Sequence, residues 1–110
     1  MNFQEAKKHI AKEYESDDGL DTLFRMSADV EEERIARFLQ ALQCLQEHYA
    51  EKPVIEKEVA FQLFSINETL KASMGHWKVN RPKGLDHDTC WKIIDSIRCI
   101  FSDLPNQNYI

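Results

Sequence analysis

The chain has 110 residues, with 14 Lys and Arg against 19 Asp and Glu and a formal net charge of −5. That length suits one domain around a single apolar core, and the acidic balance disfavours a protein whose main ligand is nucleic acid. With 43% hydrophobic residues but only three Gly and three Pro, the composition excludes a turn-rich all-β fold and favours helices.

The opening run "MNFQEAKKHIAKEYE" lacks the apolar core of a secretory signal, and no later window has the length of a membrane span. A cytoplasmic protein without membrane contact is expected. The cysteines, Cys44, Cys90 and Cys99, are odd in number and lack CxxC spacing, so they read as free thiols on or near apolar helix faces.

Phe3, Ala6, Ile10 and Tyr14 recur at steps of three and four, predicting a helix over about 2–15 with Asn2 as its N-cap. Ser16, Asp17, Asp18 and Gly19 stop it, and a short helical turn over about 20–26 follows. Ser27 is placed to cap a helix over about 28–50, whose ladder is Ile35, Phe38, Leu39, Leu42, Leu45 and Tyr49. Lys52-Pro53 marks the next boundary. A third helix over about 54–74 carries Val59, Leu63, Ile66, Leu70 and Met74, with Ala60, Phe61 and Phe64 widening its apolar surface until Gly75. Such breadth suggests a helix touched on more than one side.

Residues 76–85, with Pro82 and Gly84, have no helical period and predict a long loop. Asp86 or Asp88 then caps a helix over about 87–104 whose stripe is Cys90, Ile93, Ile94, Ile97, Ile100, Phe101 and Leu104, closed by Pro105. Residues 105–110 form a mobile tail in this reading. The expected architecture is therefore all-α: one domain, a compact bundle of four main helices plus a short helical turn.

Charge is distributed unevenly. Residues 13–33 hold nine acids, Glu13, Glu15, Asp17, Asp18, Asp21, Asp29, Glu31, Glu32 and Glu33, against the single base Arg25, so the stretch carries −8. The remaining 13 bases and 10 acids carry +3. Acids in loops and at a helix start are partly explained by local hydrogen bonding and the backbone dipole. Their concentration is nevertheless repulsive until salt or a basic partner neutralises it, and a basic partner would turn the repulsion into fast encounter.

Other constellations are weaker. His76, Asp86, His87, Asp88 and Cys90 supply metal-ligand types within fifteen positions, but neither CxxC nor HExxH occurs and Asp86 and Asp88 are better read as helix-start acids. No metal and no cofactor are expected. Cys90 or Cys99 with one of four scattered histidines makes no nucleophile signature, and no Gly-rich loop cradles a phosphate, so the chain is not read as an enzyme. Lys78, Arg81 and Lys83 beside Trp77 form the one local basic cluster, read as a solvated loop. Trp91 reads as a core plug, and Trp77 as a contact residue.

In size, acidity and helix pattern the chain resembles the small all-helical immunity proteins with which bacteria neutralise toxins, many of them basic nucleases. No motif carries the resemblance. It implies a monomer or weak homodimer that covers the cationic cleft of a cognate toxin. The contact residues expected from the sequence are Asp17, Asp18, Asp21, Asp29, Glu31, Glu32 and Glu33 as phosphate mimics, with Phe24 or Trp77 as apolar anchors. The rivals are a small helical adaptor or regulator, monomeric or homodimeric, whose acidic patch only solubilises it, and a metal-dependent enzyme built on Asp86 to Cys90.

Overall fold

Asn2 begins the first helix as its neighbours predict: its side chain accepts from the Glu5 amide at 2.9 Å while the Glu5 carboxylate accepts from the Asn2 amide at 3.3 Å. This reciprocal cap satisfies two amides that a helix start otherwise leaves unpaired. The computed structural model describes residues 1–77 and 80–102. The predicted tail, together with Leu104 and Pro105, lies outside them.

Among the described residues five helices follow in order: α1 (Phe3–Glu15), α2 (Leu20–Arg25), α3 (Glu32–Tyr49), α4 (Lys57–Met74) and α5 (His87–Ser102). The fold is all-α, and no strand occurs among the described residues. The four long helices form a ring in which α1 touches α3 and α4, and α5 closes the other side against the same two; α2 lies across α1 and α4. The buried side chains make one core, with Ile10, Leu20, Phe24, Phe38, Leu42, Leu63, Leu70 and Ile93 fully enclosed. None of the described helices is long and apolar enough to cross a membrane.

Two helices start later than the sequence suggests. Ser27 does not cap α3; it lies at φ 54 as the left-handed residue just past α2. Ala28 N–H donates to Leu23 C=O at 2.9 Å and Ser27 N–H to Phe24 C=O at 3.1 Å, the paired bonds by which a helix end satisfies its last carbonyls. Residues 28–31 are therefore not helical, and α3 begins at Glu32 with Glu31 as its extended N-cap. Likewise Pro53 does not open α4, whose N-cap is Glu56. The Tyr49 hydroxyl donates to the Glu56 carboxylate and ties the 50–56 connection to the end of α3.

Large aromatics distribute differently from expectation. Trp91 is 42% exposed, because it sits about 100° round the helix from Cys90 and outside the Ile93, Ile94 and Ile97 face, where it meets His87 edge-on. α4 does touch three helices, yet Phe61 and Phe64 point outward, and Phe101 lines an open groove rather than the core. Cys90 is buried, while Cys44 and Cys99 are half-buried, and all three are free.

Phe24 is enclosed by the core from a six-residue helix. Replacing it with Ala is expected to cost about 3–5 kcal/mol, the range for a large aromatic removed from a packed site, and Phe24→Leu less than half of that. Urea unfolding monitored by circular dichroism reads both values.

Candidate functional site

The acidic end is assembled around one buried carboxylate. Glu13, in the last turn of α1, is 3% exposed. Its Oε1 accepts from Arg34 Nη2 at 2.7 Å and from the Leu20 amide at 3.3 Å, and its Oε2 accepts from Arg34 Nε at 3.2 Å. Arg34 also donates from Nη2 to the Asp18 carbonyl at 2.5 Å. A guanidinium fork matches a carboxylate in this two-bond geometry and satisfies the charge that burial would otherwise penalise. The hydrogen bond to Glu13, with added attraction from Asp18 and Glu31, raises the Arg34 pKa against the opposing effect of burial.

Gly19 is required by this arrangement. A Cβ there would stand 2.4 Å from the Glu13 carbonyl oxygen, so the α1–α2 turn can pass this close to α1 only without a side chain.

Of the nine acids in the stretch, Glu13 and Asp21 are buried. Asp21 pairs with Arg25 at 2.7 Å, one turn along α2. Asp29 is exposed, but its Oδ1 accepts from the Lys83 amide at 2.8 Å. Asp17 and Asp18 are exposed on the α1–α2 turn, and Glu31, Glu32 and Glu33 are exposed at the start of α3. Asp18 and Glu31 both act on Arg34, so the two acidic runs meet at one end of the fold. Among the residues expected to contact a partner, Asp17, Asp18, Glu31, Glu32 and Glu33 remain available.

Both aromatic anchors belong to the interior. Phe24 has no exposed surface, and Trp77 is 7% exposed, with its indole N–H donating to Ser27 Oγ at 2.7 Å and Arg81 lying 5.6 Å from its ring. A buried indole needs a partner for its N–H, and the left-handed Ser27 supplies it. That leaves the Trp77 face unavailable to stack a base; of that basic cluster, Lys78 lies outside the described residues.

The segment between α2 and α3 is fastened to the loop before α5. Val30 N–H donates to the Lys83 carbonyl at 2.9 Å, while Ser73 Oγ of α4 donates to the Phe24 carbonyl of α2 at 2.7 Å and holds the preceding helix end. Gly84, at φ 85, brings its backbone so close that a Cβ would stand 1.9 Å from the Val30 carbonyl oxygen. Beside this contact lies a cleft of about 500 Å³, floored by Ile35, Ala36, Leu39 and Pro82 and rimmed by Glu32, Asp86, Arg81, Lys83 and Lys92. Its rim carries both signs of charge.

The Asp86 to Cys90 segment is occupied by structural duties. Asp86 Oδ1 accepts from the Thr89 amide at 2.7 Å, the expected N-cap, and that bond lowers the Asp86 pKa. Burial pushes the Cys90 thiol up, away from the reactive thiolate, and its Sγ faces the Leu85 carbonyl. Among the described residues no three His, Cys, Asp or Glu side chains converge on a common point.

Arg34 is the residue of this cluster that the charge count missed, since it stands one position beyond the acidic stretch and meets Glu13 only through the fold. His9 completes the cluster, its Nε2 3.8 Å from Glu13 Oε2. Burial lowers the His9 pKa below 6.5, opposed by Glu13 and reinforced by Arg37, Lys12 and Arg34. The unfolded chain therefore takes up this proton at a higher pH than the folded chain does. Stability contributed by neutral His9 is expected to fall as pH drops through the ordinary imidazole range, starting near the unfolded value of 6.5. His9→Gln should flatten that slope when urea unfolding is repeated across the window.

Gly84→Ala combines a left-handed backbone with a clash against Val30 and is expected to cost about 2–4 kcal/mol. Loss of amide-exchange protection at Val30 in this variant would report the broken contact. Models of known families, curated proteins and solved structures were all compared with the chain, and none matches it.

Proposed function

We propose that the chain is a protein-binding inhibitor whose acidic end covers the cationic cleft of a basic protein, as an immunity protein covers a nuclease-type toxin. The observation that supports this reading is the exposure of Asp17, Asp18, Glu31, Glu32 and Glu33 around an Arg34 whose charge is already answered internally by Glu13. Those five carboxylates have no base set aside for them within the stretch. Clustered carboxylates carry the same sign of charge as phosphates and attract a cleft built for phosphates, which raises the association rate more than it slows dissociation.

The backbone that carries them is held before binding. The α2 end, the Trp77 to Ser27 bond and the Val30 to Lys83 bond fix the 27–31 segment, so little loop entropy remains to be lost on docking. With Phe24 and Trp77 committed to the interior, the exposed apolar side chain of the 13–33 stretch is Met26, at 70%. A flexible thioether adapts to an irregular pocket, and Met26 replaces Phe24 and Trp77 as the apolar contact in this proposal.

The test is binding kinetics against the product of the adjacent gene, together with protection of cells that express that product. Asp17, Asp18, Glu31 and Glu33 changed together to Lys should slow association by about tenfold or more at low salt and flatten its salt dependence. Met26→Ala should chiefly raise the dissociation rate. Unchanged association and protection in a charge-reversed chain that keeps its helical spectrum would overturn the proposal in favour of a helical adaptor.

A further inference from the structure

α4 presents an outward stripe that no other described helix covers. Lys57, Phe61, Phe64 and Glu68 are all exposed, and at 100° per residue they fall within an arc of about 60° on the helix. Phe61 and Phe64 are 57% and 59% exposed, and Phe61 meets the Tyr14 ring edge-on at 5.9 Å. Beside them runs a groove of about 560 Å³ between α4 and α5, lined by Ala60, Phe64, Ile97 and Phe101. Three neighbouring exposed phenylalanines are a surface that water disfavours and that a protein contact would bury.

The order of the stripe identifies its occupant. Steps of four, three and four read the same in both directions, and the side chains run cation, Phe, Phe, anion. A second α4 laid antiparallel, with a two-fold axis between Phe61 and Phe64, sets Lys57 opposite Glu68 of the second copy and Phe61 opposite Phe64 of the second copy. The symmetry repeats both pairings in reverse. A two-fold interface must be complementary to itself, and this stripe meets that condition in charge as well as shape. Parallel alignment would instead place Lys57 against Lys57 and Glu68 against Glu68. Among the described residues neither Lys57 nor Glu68 is held in an ion pair within the chain.

We propose that the exposed face of α4 is the seam of an antiparallel two-fold homodimer, sealed by Phe61 and Phe64 and oriented by Lys57 and Glu68. It uses different residues from the acidic end and does not depend on the function proposed for that end.

Sedimentation equilibrium over about 1–300 μM protein tests the seam, a span that covers weak to moderate self-association. The chain should dimerise with rising concentration, and Phe64→Glu should stay monomeric while its circular dichroism spectrum remains helical. Lys57→Glu and Glu68→Lys should each weaken dimerisation by about tenfold, since each replaces two symmetry-related attractions with repulsions. Mixing the two single variants should restore association, because each mixed dimer again opposes unlike charges. A chain that is monomeric throughout, a dimer indifferent to Phe64→Glu, or a mixture that recovers nothing overturns the proposal and leaves the stripe to another occupant.

Discussion

The two-bond pair between Glu13 and Arg34 is the interaction on which the rest of the arrangement depends. It joins residues 21 apart in sequence, one ending α1 and the other in the first turns of α3. A carboxylate with almost no contact with water is costly unless it is paired, and here the same cluster also takes the Leu20 amide and delivers a donor to the Asp18 carbonyl. Four pieces of backbone are thereby held by one charge pair: the end of α1, the turn, the start of α2 and the start of α3. His9 is kept beside it in an environment that disfavours its proton.

That pairing has an electrostatic output. Arg34 feels both Asp18 and Glu31, and its guanidinium is engaged from within by Glu13, so the acids outside remain weakly compensated. A second set of bonds fixes the backbone beneath them, where Ser27, Val30 and Asp29 are tied to Trp77 and Lys83. The result is a rigid, acidic end whose charge is available to solvent. The exposed α4 face has a different character, apolar at its centre and charged at its two ends, so electrostatic attraction and apolar burial are assigned to different residues.

Local periodicity carried most of the fold. Caps at Asn2 and Asp86, the α3 ladder and the α5 stripe depend on neighbours three or four positions away, and they are legible for that reason. Ser27 was not, because a serine after a helical turn suits both a new N-cap and a left-handed helix end. The choice is made by Trp77, fifty positions later. Trp77 reads as available because its sequence neighbours are polar and basic, and Phe24 because it lies in a short apolar knot within the acidic stretch, whereas burial is decided by α4 and the loop that fold over them. The acids of Glu13 and Asp21 resembled their solvated neighbours until Arg34 and Arg25 were placed. Conversely, Phe61, Phe64 and Phe101 read as core because apolar width alone does not say how many sides of a helix find a neighbour.

The organising role of the pair is tested most directly by a double-mutant cycle. Glu13→Gln, Arg34→Met and the combined variant are unfolded in urea beside the parent chain, and the coupling free energy is taken from the four stabilities. A coupling of about 1.5–3 kcal/mol is predicted, because each single change leaves one partner poorly satisfied while the double change removes both charges. Additivity within about 0.5 kcal/mol would mean that the two residues act independently, and would contradict the account.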